Sequence, residues 1–373
     1  MTDRESVIIY NMISGIGFVK FNAISNYFGS PAGGLEASIQ ELDAVRGVGE
    51  QLARRIAGWR EEIDIAEELD RAERGGARII TILDDDYPGT LRQIPDPPLC
   101  LYVAGKLPDF DRAEFIALVG SRRASNYGKR MAAQLAQQAV TAGWGTVSGL
   151  AFGIDFAAHD TTVKAGGATV AVLGGGIANI HPREHVPLAR EILATGGAIV
   201  SEYPMMFPVS RTSFPRRNRI IAALARGVVL IEGAVHSGGL ITANLANDYG
   251  KAVFAVPGSL DNPMAAGCHH LIKRGEARLV ESFLDVIEEF DPTMTGDLFL
   301  REAESSYNPS QAAGLDTNEA KVYAYLEENG ESSFDAISDA MEFPPGMLSS
   351  ILAVLEMRFL ILQNPGKRYL IRR

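Results

Sequence analysis

From about residue 113 to residue 290 the chain repeats one unit: a short, unbroken apolar run that stops at glycine and small polar residues, then a stretch with helical spacing. The runs are Phe115-Ile-Ala-Leu-Val119, Trp144-Gly-Thr-Val147, Ala168-Val-Ala-Val-Leu173, Gly197-Ala-Ile-Val200, Val228-Val-Leu-Ile231 and Ala252-Val-Phe-Ala-Val256. A strand with one wet face alternates apolar and polar residues. A strand covered on both faces is apolar throughout. The repeat therefore predicts an α/β fold, a parallel sheet layered between helices.

At 373 residues the chain has room for two or three domains. Residues 1–75 read as helical. Within them Gly15-Ile-Gly17 and Gly47-Val-Gly49 each have an apolar residue between glycines, the pattern of a helix-hairpin-helix or SAM-like turn whose free N–H groups can hold a phosphate. An ordinary glycine-capped helix joint accounts for the same residues, and seven carboxylates between Glu61 and Glu73 give that region a face that repels DNA. Residues 78–104 are transitional: a strand over 78–83, a turn over 84–89 and a proline-rich extended connection over 94–98. The domain over 76–290 is followed by a linker at 291–312. Residues 313–373 then carry three helical stretches and a terminal hairpin, a winged-helix-like pattern. This last domain has nine carboxylates against six basic residues, which suits protein contacts or ordering better than insertion into a DNA groove.

The whole chain is acidic, with a formal charge of −11, yet residues 211–226 hold five arginines and no carboxylate. Background charge does not account for that cluster. Guanidinium forks match phosphate oxygens and stack on bases. The run ends at Gly120-Ser121, Ser148-Gly149, Gly174–Gly176 and Ser237-Gly-Gly239 lie where open parallel sheets bind ligands, outside the carboxyl ends of the strands. Arg122 and Arg123, with Lys129 and Arg130, open a helix with no acidic neighbour between residues 120 and 130. Cations are disfavoured at a helix N-terminus unless an anion is present, so a bound phosphate is expected there. His159 lies one helical turn after Asp155, a spacing that fits a shared hydrogen bond and a structural role.

The exclusions are as informative. Gly174-Gly-Gly-Ile-Ala-Asn179 lacks the third glycine of a dinucleotide fingerprint, and no P-loop, GxSxG elbow, HExxH helix or CxxC pair occurs. No catalytic residue, cofactor or metal is assigned. Cys100 and Cys268 make no disulfide framework. With neither a signal-peptide pattern nor an apolar run of membrane length, a cytoplasmic protein without membrane contact is expected.

These loops, in this order, resemble the bacterial DNA-processing protein A (DprA/Smf) family. The resemblance is carried by Val119-Gly-Ser-Arg-Arg123, Ser148-Gly-Leu-Ala-Phe-Gly-Ile-Asp155 with Ala158-His159, Leu173-Gly-Gly-Gly176 and Ser201-Glu-Tyr-Pro204. It continues through Phe214-Pro-Arg-Arg-Asn-Arg-Ile-Ile-Ala-Ala223, Ser237-Gly-Gly-Leu-Ile-Thr-Ala243, Phe254-Ala-Val-Pro-Gly258 and Gly267-Cys268. It implies an extended Rossmann-like domain that binds single-stranded DNA, commonly as a homodimer. It also implies delivery of the strand to the RecA recombinase during natural transformation, with displacement of the single-strand-binding protein and no reaction catalysed. Carried over by position, the DNA contacts are Gly120, Ser121, Arg122 and Arg123; Arg216, Asn218 and Arg219; Ser237, Gly239 and Thr242; and Lys251 and Lys273. Two departures stand out: His269 replaces the asparagine usual after Gly-Cys, and Asn179-Ile-His-Pro182 replaces a tyrosine-proline loop. The competing reading is a nucleotide phosphoribohydrolase on a related fold, whose PGGxGTxxE glutamate has no counterpart in Ser237-Gly-Gly-Leu-Ile-Thr242. A site-specific transcription factor acting through the winged helix is a third, disfavoured by that domain's acidity.

Overall fold

All six apolar runs are strands of one nine-stranded sheet, in the order β1-β2-β6-β5-β4-β3-β7-β8-β9. The strands are β1 (Ala77–Thr81), β2 (Cys100–Gly105), β3 (Phe115–Gly120), β4 (Gly145–Ser148), β5 (Thr169–Val172), β6 (Ala198–Ser201), β7 (Gly227–Glu232), β8 (Ala252–Ala255) and β9 (Arg278–Leu279). This computed structural model describes residues 1–291, 316–341, 343–357, 360–364 and 366–371, so all but Asp291 of the linker expected over 291–312 lies outside the described residues. The chain divides into two compact units, Met1–Phe290 and Asp291–Arg373.

From β6 to β9 every neighbouring pair is parallel. Strands β4, β5, β6 and β7 are buried along their whole length, the condition that their unbroken apolar runs satisfy. Full burial of a Val, Leu or Ile side chain stabilises by roughly 1.5–3 kcal/mol, so Val228, Val229, Leu230 and Ile231 make β7 a firm central support. On the far side of β6 the sheet turns antiparallel through β2 and β1. Strand β2 falls within the stretch read as transitional, and β9, only two exposed residues, has no apolar run to mark it.

Seven short helices fill residues 3–74. Thr2 with Glu5 and Ser38 with Glu41 form reciprocal capping boxes that satisfy the N–H groups opening two of them. These helices and the sheet share one continuous apolar core, in which Val7, Ile8 and Tyr10 belong with Ile80 and Tyr102. Polar ties reinforce the join: Asn11 Nδ2 donates to the carbonyl of Glu202 at 3.0 Å, and the buried Glu68 carboxylate accepts the N–H of Met205 at 2.7 Å. Gly15, Gly47 and Gly49 adopt positive φ, which explains glycine at both N-terminal turns without a ligand.

The second unit has helices Thr317–Asn329, Phe334–Met341 and Pro345–Met357 and a small antiparallel sheet, β10 (Ser332–Ser333), β12 (Arg368–Ile371) and β11 (Ile361–Asn364) in that spatial order. Its core comprises Val322, Leu326, Ile337, Leu348, Leu352 and Leu355. Three helices and a hairpin match the winged-helix-like expectation. Among the described residues no helix is long and apolar enough to cross a membrane.

Candidate nucleic-acid interface

The chain order of the strands reverses at the β3–β7 pair. From β3 the chain builds β4, β5 and β6 outward on one side, then returns through the Ser213–Leu224 helix to start β7 on the other. A crevice opens beyond the carboxyl ends of strands at such a switch point. Here it is a cleft of about 430 Å³ lined by Gly120–Arg122, Ala151, Asp155, the Phe214 face of the returning helix and the turn at 236–239.

Seven of the twelve expected contact residues line this cleft: Gly120, Ser121, Arg122, Asn218, Ser237, Gly239 and Thr242. Their local roles are specific. Ser237 caps the Gly238–Asp248 helix, its hydroxyl accepting the N–H of Leu240 at 3.3 Å. Asn218 Nδ2 and Thr242 Oγ1 both donate to the carbonyl of Gly238 at 3.1 Å, which fixes the turn. The N–H groups of Gly238 and Gly239, in the helix's first turn, have no acceptor within that helix. Gly239 is there because the two turns touch: a Cβ would sit 2.9 Å from Gly120 Cα and 2.8 Å from Leu230 Cδ1. Arg122 is exposed and its guanidinium lies 4.4 Å over the Phe214 ring, while Arg211 stands exposed at the mouth.

The other five lie outside the cleft lining. Arg123 is exposed beyond it on the same loop, its N–H held by Ser121 Oγ at 3.0 Å. Arg219 is buried, with both guanidinium nitrogens on the two oxygens of Glu202 at 2.8 and 2.7 Å and Nε on the carbonyl of Asp96 at 2.8 Å. Arg216 follows it toward the same carboxylate, 3.6 Å away. Lys251 lies at the opposite, N-terminal ends of the strands, where its ammonium holds the carbonyls of Ala223 and Ala225; burial pushes it down to about 8. Lys273 is exposed at the end of the Ala266–Lys273 helix.

Arg217, which the resemblance did not put among the contacts, forms the floor. It is 3% exposed, donates to the carbonyl of Val172 and has a buried Nε without a partner among the described residues. Desolvation pulls its guanidinium down to about 10, against the attraction of Asp155. Burial raises the Asp155 carboxyl, opposed by Arg217 and by the N–H groups of Ala151 and Gly149. The signal for Arg217 is helical period: Phe214, Arg217, Asn218 and Ile221 share the face that lines the cleft, and Arg216 and Arg219 fall on another.

Three further expectations need correction. The four glycine turns are not equivalent. Gly174–Gly176 is covered by the 204–214 segment, Gly176 N–H reaching Phe207 O at 2.9 Å, and the Arg217 guanidinium packs on Gly149. An anion does occupy the start of the Asn126–Thr141 helix, but it is the protein's own: Glu232, buried, accepts from Ser125 N at 2.8 Å and Ser125 Oγ at 2.5 Å. That carboxylate, rather than a phosphate, answers the helix dipole. Asp155 and His159 do not share a hydrogen bond, since His159 Nδ1 pairs with Thr169 Oγ1 at 2.7 Å. Burial, with Arg217 and His185 nearby, pushes His159 down to about 3. Among the described residues no three His, Cys, Asp or Glu side chains gather as metal ligands.

Known proteins are similar to this chain in sequence and fold. The model of the family described as DNA recombination-mediator protein A matches residues 78–291. A Smf protein of Synechocystis is 31% identical across 97% of this chain and 97% of its own. DNA processing protein A (DprA) from Streptococcus pneumoniae has a similar structure, with a TM-score of 0.66 and 33% identity over 78% of this chain and 98% of its own. DNA processing protein A from Helicobacter pylori, known for a unique single-stranded DNA binding mode, gives a TM-score of 0.52 at 28% identity over 58% and 97%.

Proposed function

The chain belongs to the DNA recombination-mediator protein A family, and from that premise we propose that it binds single-stranded DNA in the cleft between β3 and β7 and loads the RecA recombinase onto it. The observation that carries this reading is the convergence of two glycine turns, two exposed arginines and a buried arginine floor at the sheet's switch point. Arg122 and Arg211 supply exposed charge for the backbone, and the Gly238 and Gly239 N–H groups offer neutral donors to the same oxygens. The family's place in natural transformation gives the setting: the protein covers incoming strand, displaces the single-strand-binding protein and hands the strand on. We infer that it acts as a homodimer, and the exposure of Leu260 and Leu279, 90% and 43%, supports a contact on the sheet's C-terminal half, near 230–290.

No reaction is assigned to the cleft. Its carboxylate, Asp155, holds the 149–151 backbone and faces Arg217, a structural employment that leaves a phosphoribohydrolase without its glutamate. The test compares a short oligonucleotide as single strand and as duplex at two salt concentrations, then adds RecA to strand precovered with single-strand-binding protein. Tighter, salt-sensitive binding of the single strand and restored RecA assembly are expected. Equal affinity for both forms, or release of free base from nucleoside monophosphates, overturns the reading.

A further inference from the structure

Phe152 and Phe156 are 46% and 37% exposed, although each ring would gain by burial. Single exposed apolar residues are ordinary. These two differ because they are held against the same side chain: His185, 3% exposed, packs edge-on to Phe152 at 4.7 Å and tilted to Phe156 at 4.8 Å. His185 is itself anchored by Nδ1 on the carbonyl of Leu150 at 2.8 Å. Leu150 is fully buried with φ of 55°, a left-handed backbone that an L side chain adopts only when its surroundings enforce it. The rings are therefore fixed in place while one side of each faces solvent.

Their position ties them to the cleft. Ala151 and Asp155, their neighbours in sequence, line it. Gly153, between Phe152 and Phe156 in sequence, packs on the backbone of Ser121 and Arg122, and the N–H of Ile154 reaches the carbonyl of Ser121 at 3.3 Å. The loop that carries the two rings is thus anchored on the same backbone that presents Arg122 to the cleft. A cationic groove flanked by aromatic faces is how single strands are held without sequence preference, because every base has a π-face.

We propose that Phe152 and Phe156 form a nucleobase-stacking site flanking the cleft, which takes a base from the same strand whose backbone the cleft holds. The inference rests on the single-strand reading above. Its test measures binding of a short oligothymidine and of an abasic oligomer with the same number of phosphates, using Phe152→Ala, Phe156→Ala and Phe152→Trp in the full chain. The alanine variants should bind oligothymidine roughly five- to a hundredfold more weakly, with an unchanged slope of log affinity against log salt. They should bind the abasic oligomer as the wild type does, and Phe152→Trp should retain affinity for oligothymidine. Undiminished oligothymidine binding by both alanine variants overturns the proposal, as does an equal loss on the abasic oligomer. Sedimentation velocity on the same variants adds a third contrary outcome: altered self-association with unaltered oligonucleotide binding makes the patch a protein contact. If the wild type shows no salt-dependent strand binding, the parent reading fails instead.

Discussion

Arg217 and Arg219 are two residues apart and both buried, but they do different work. Arg219 neutralises Glu202 and binds the Asp96 carbonyl, so Arg219→Ala leaves a carboxylate buried without its partner. A loss of about 3–5 kcal/mol is expected from urea unfolding, whereas Arg216→Ala, half-exposed and 3.6 Å from that carboxylate, should cost under about 1 kcal/mol. His159 supplies a pH signature. In the folded protein it stays neutral down to about pH 3, against an ordinary value of 6.5. The unfolded chain therefore binds the proton first, and stability present above about pH 6.5 is lost as pH falls toward 3. Asp155, raised by burial, works in the opposite sense, adding stability in acid that is lost as pH rises. Unfolding midpoints measured from pH 7 to 4 should fall steeply for the wild type and less steeply for His159→Gln. Parallel profiles would show that His159 does not drive the acid loss.

At the scale of elements, the strands were legible because burial on both faces leaves an unambiguous mark in sequence. Strand β2 carries the same mark in Cys100-Leu-Tyr-Val-Ala104, buried throughout, but it follows directly on the Ile94-Pro-Asp-Pro-Pro98 stretch that reads as a connection. The Ser213–Leu224 helix shows where the reading of the site stopped short. Charge composition finds the arginine cluster but treats its members alike, and only the helical period sends Arg217 and Asn218 to the cleft and Arg216 and Arg219 away. Glycine turns likewise resemble ligand loops in sequence, although several are packing requirements. Gly239 is both: Gly239→Ala would press on Gly120 and Leu230. A stability loss of about 1–3 kcal/mol is expected, together with weaker strand binding as the two turns are forced apart. Full oligonucleotide affinity in that variant would remove the turn from the site.

At the scale of the molecule, every group assigned to the cleft belongs to the Met1–Phe290 unit, whose N-terminal helices share the sheet's core. The second unit has its own core and an acidic balance of residues. A chain ending at residue 290 should therefore fold and bind single strands with the salt dependence of the whole protein. A collapse of affinity on that truncation would place DNA contacts in the winged-helix-like unit. The helical periodicity of residues 1–75 reads as a region of its own, although those helices share the sheet's core in one unit, and no local pattern encodes which glycine turn stays open once distant segments pack over it. The central claim is that backbone phosphates are held at the β3–β7 switch point. It is tested most directly by the slope of log affinity against log salt for a single-stranded oligonucleotide, measured for wild type, Arg122→Ala and Arg216→Ala. Each phosphate contact contributes a slope of about −0.7, so Arg122→Ala should be shallower by about that amount and Arg216→Ala should match the wild type. A slope unchanged in Arg122→Ala and reduced in Arg216→Ala would contradict the account and move the strand to the other face of the helix.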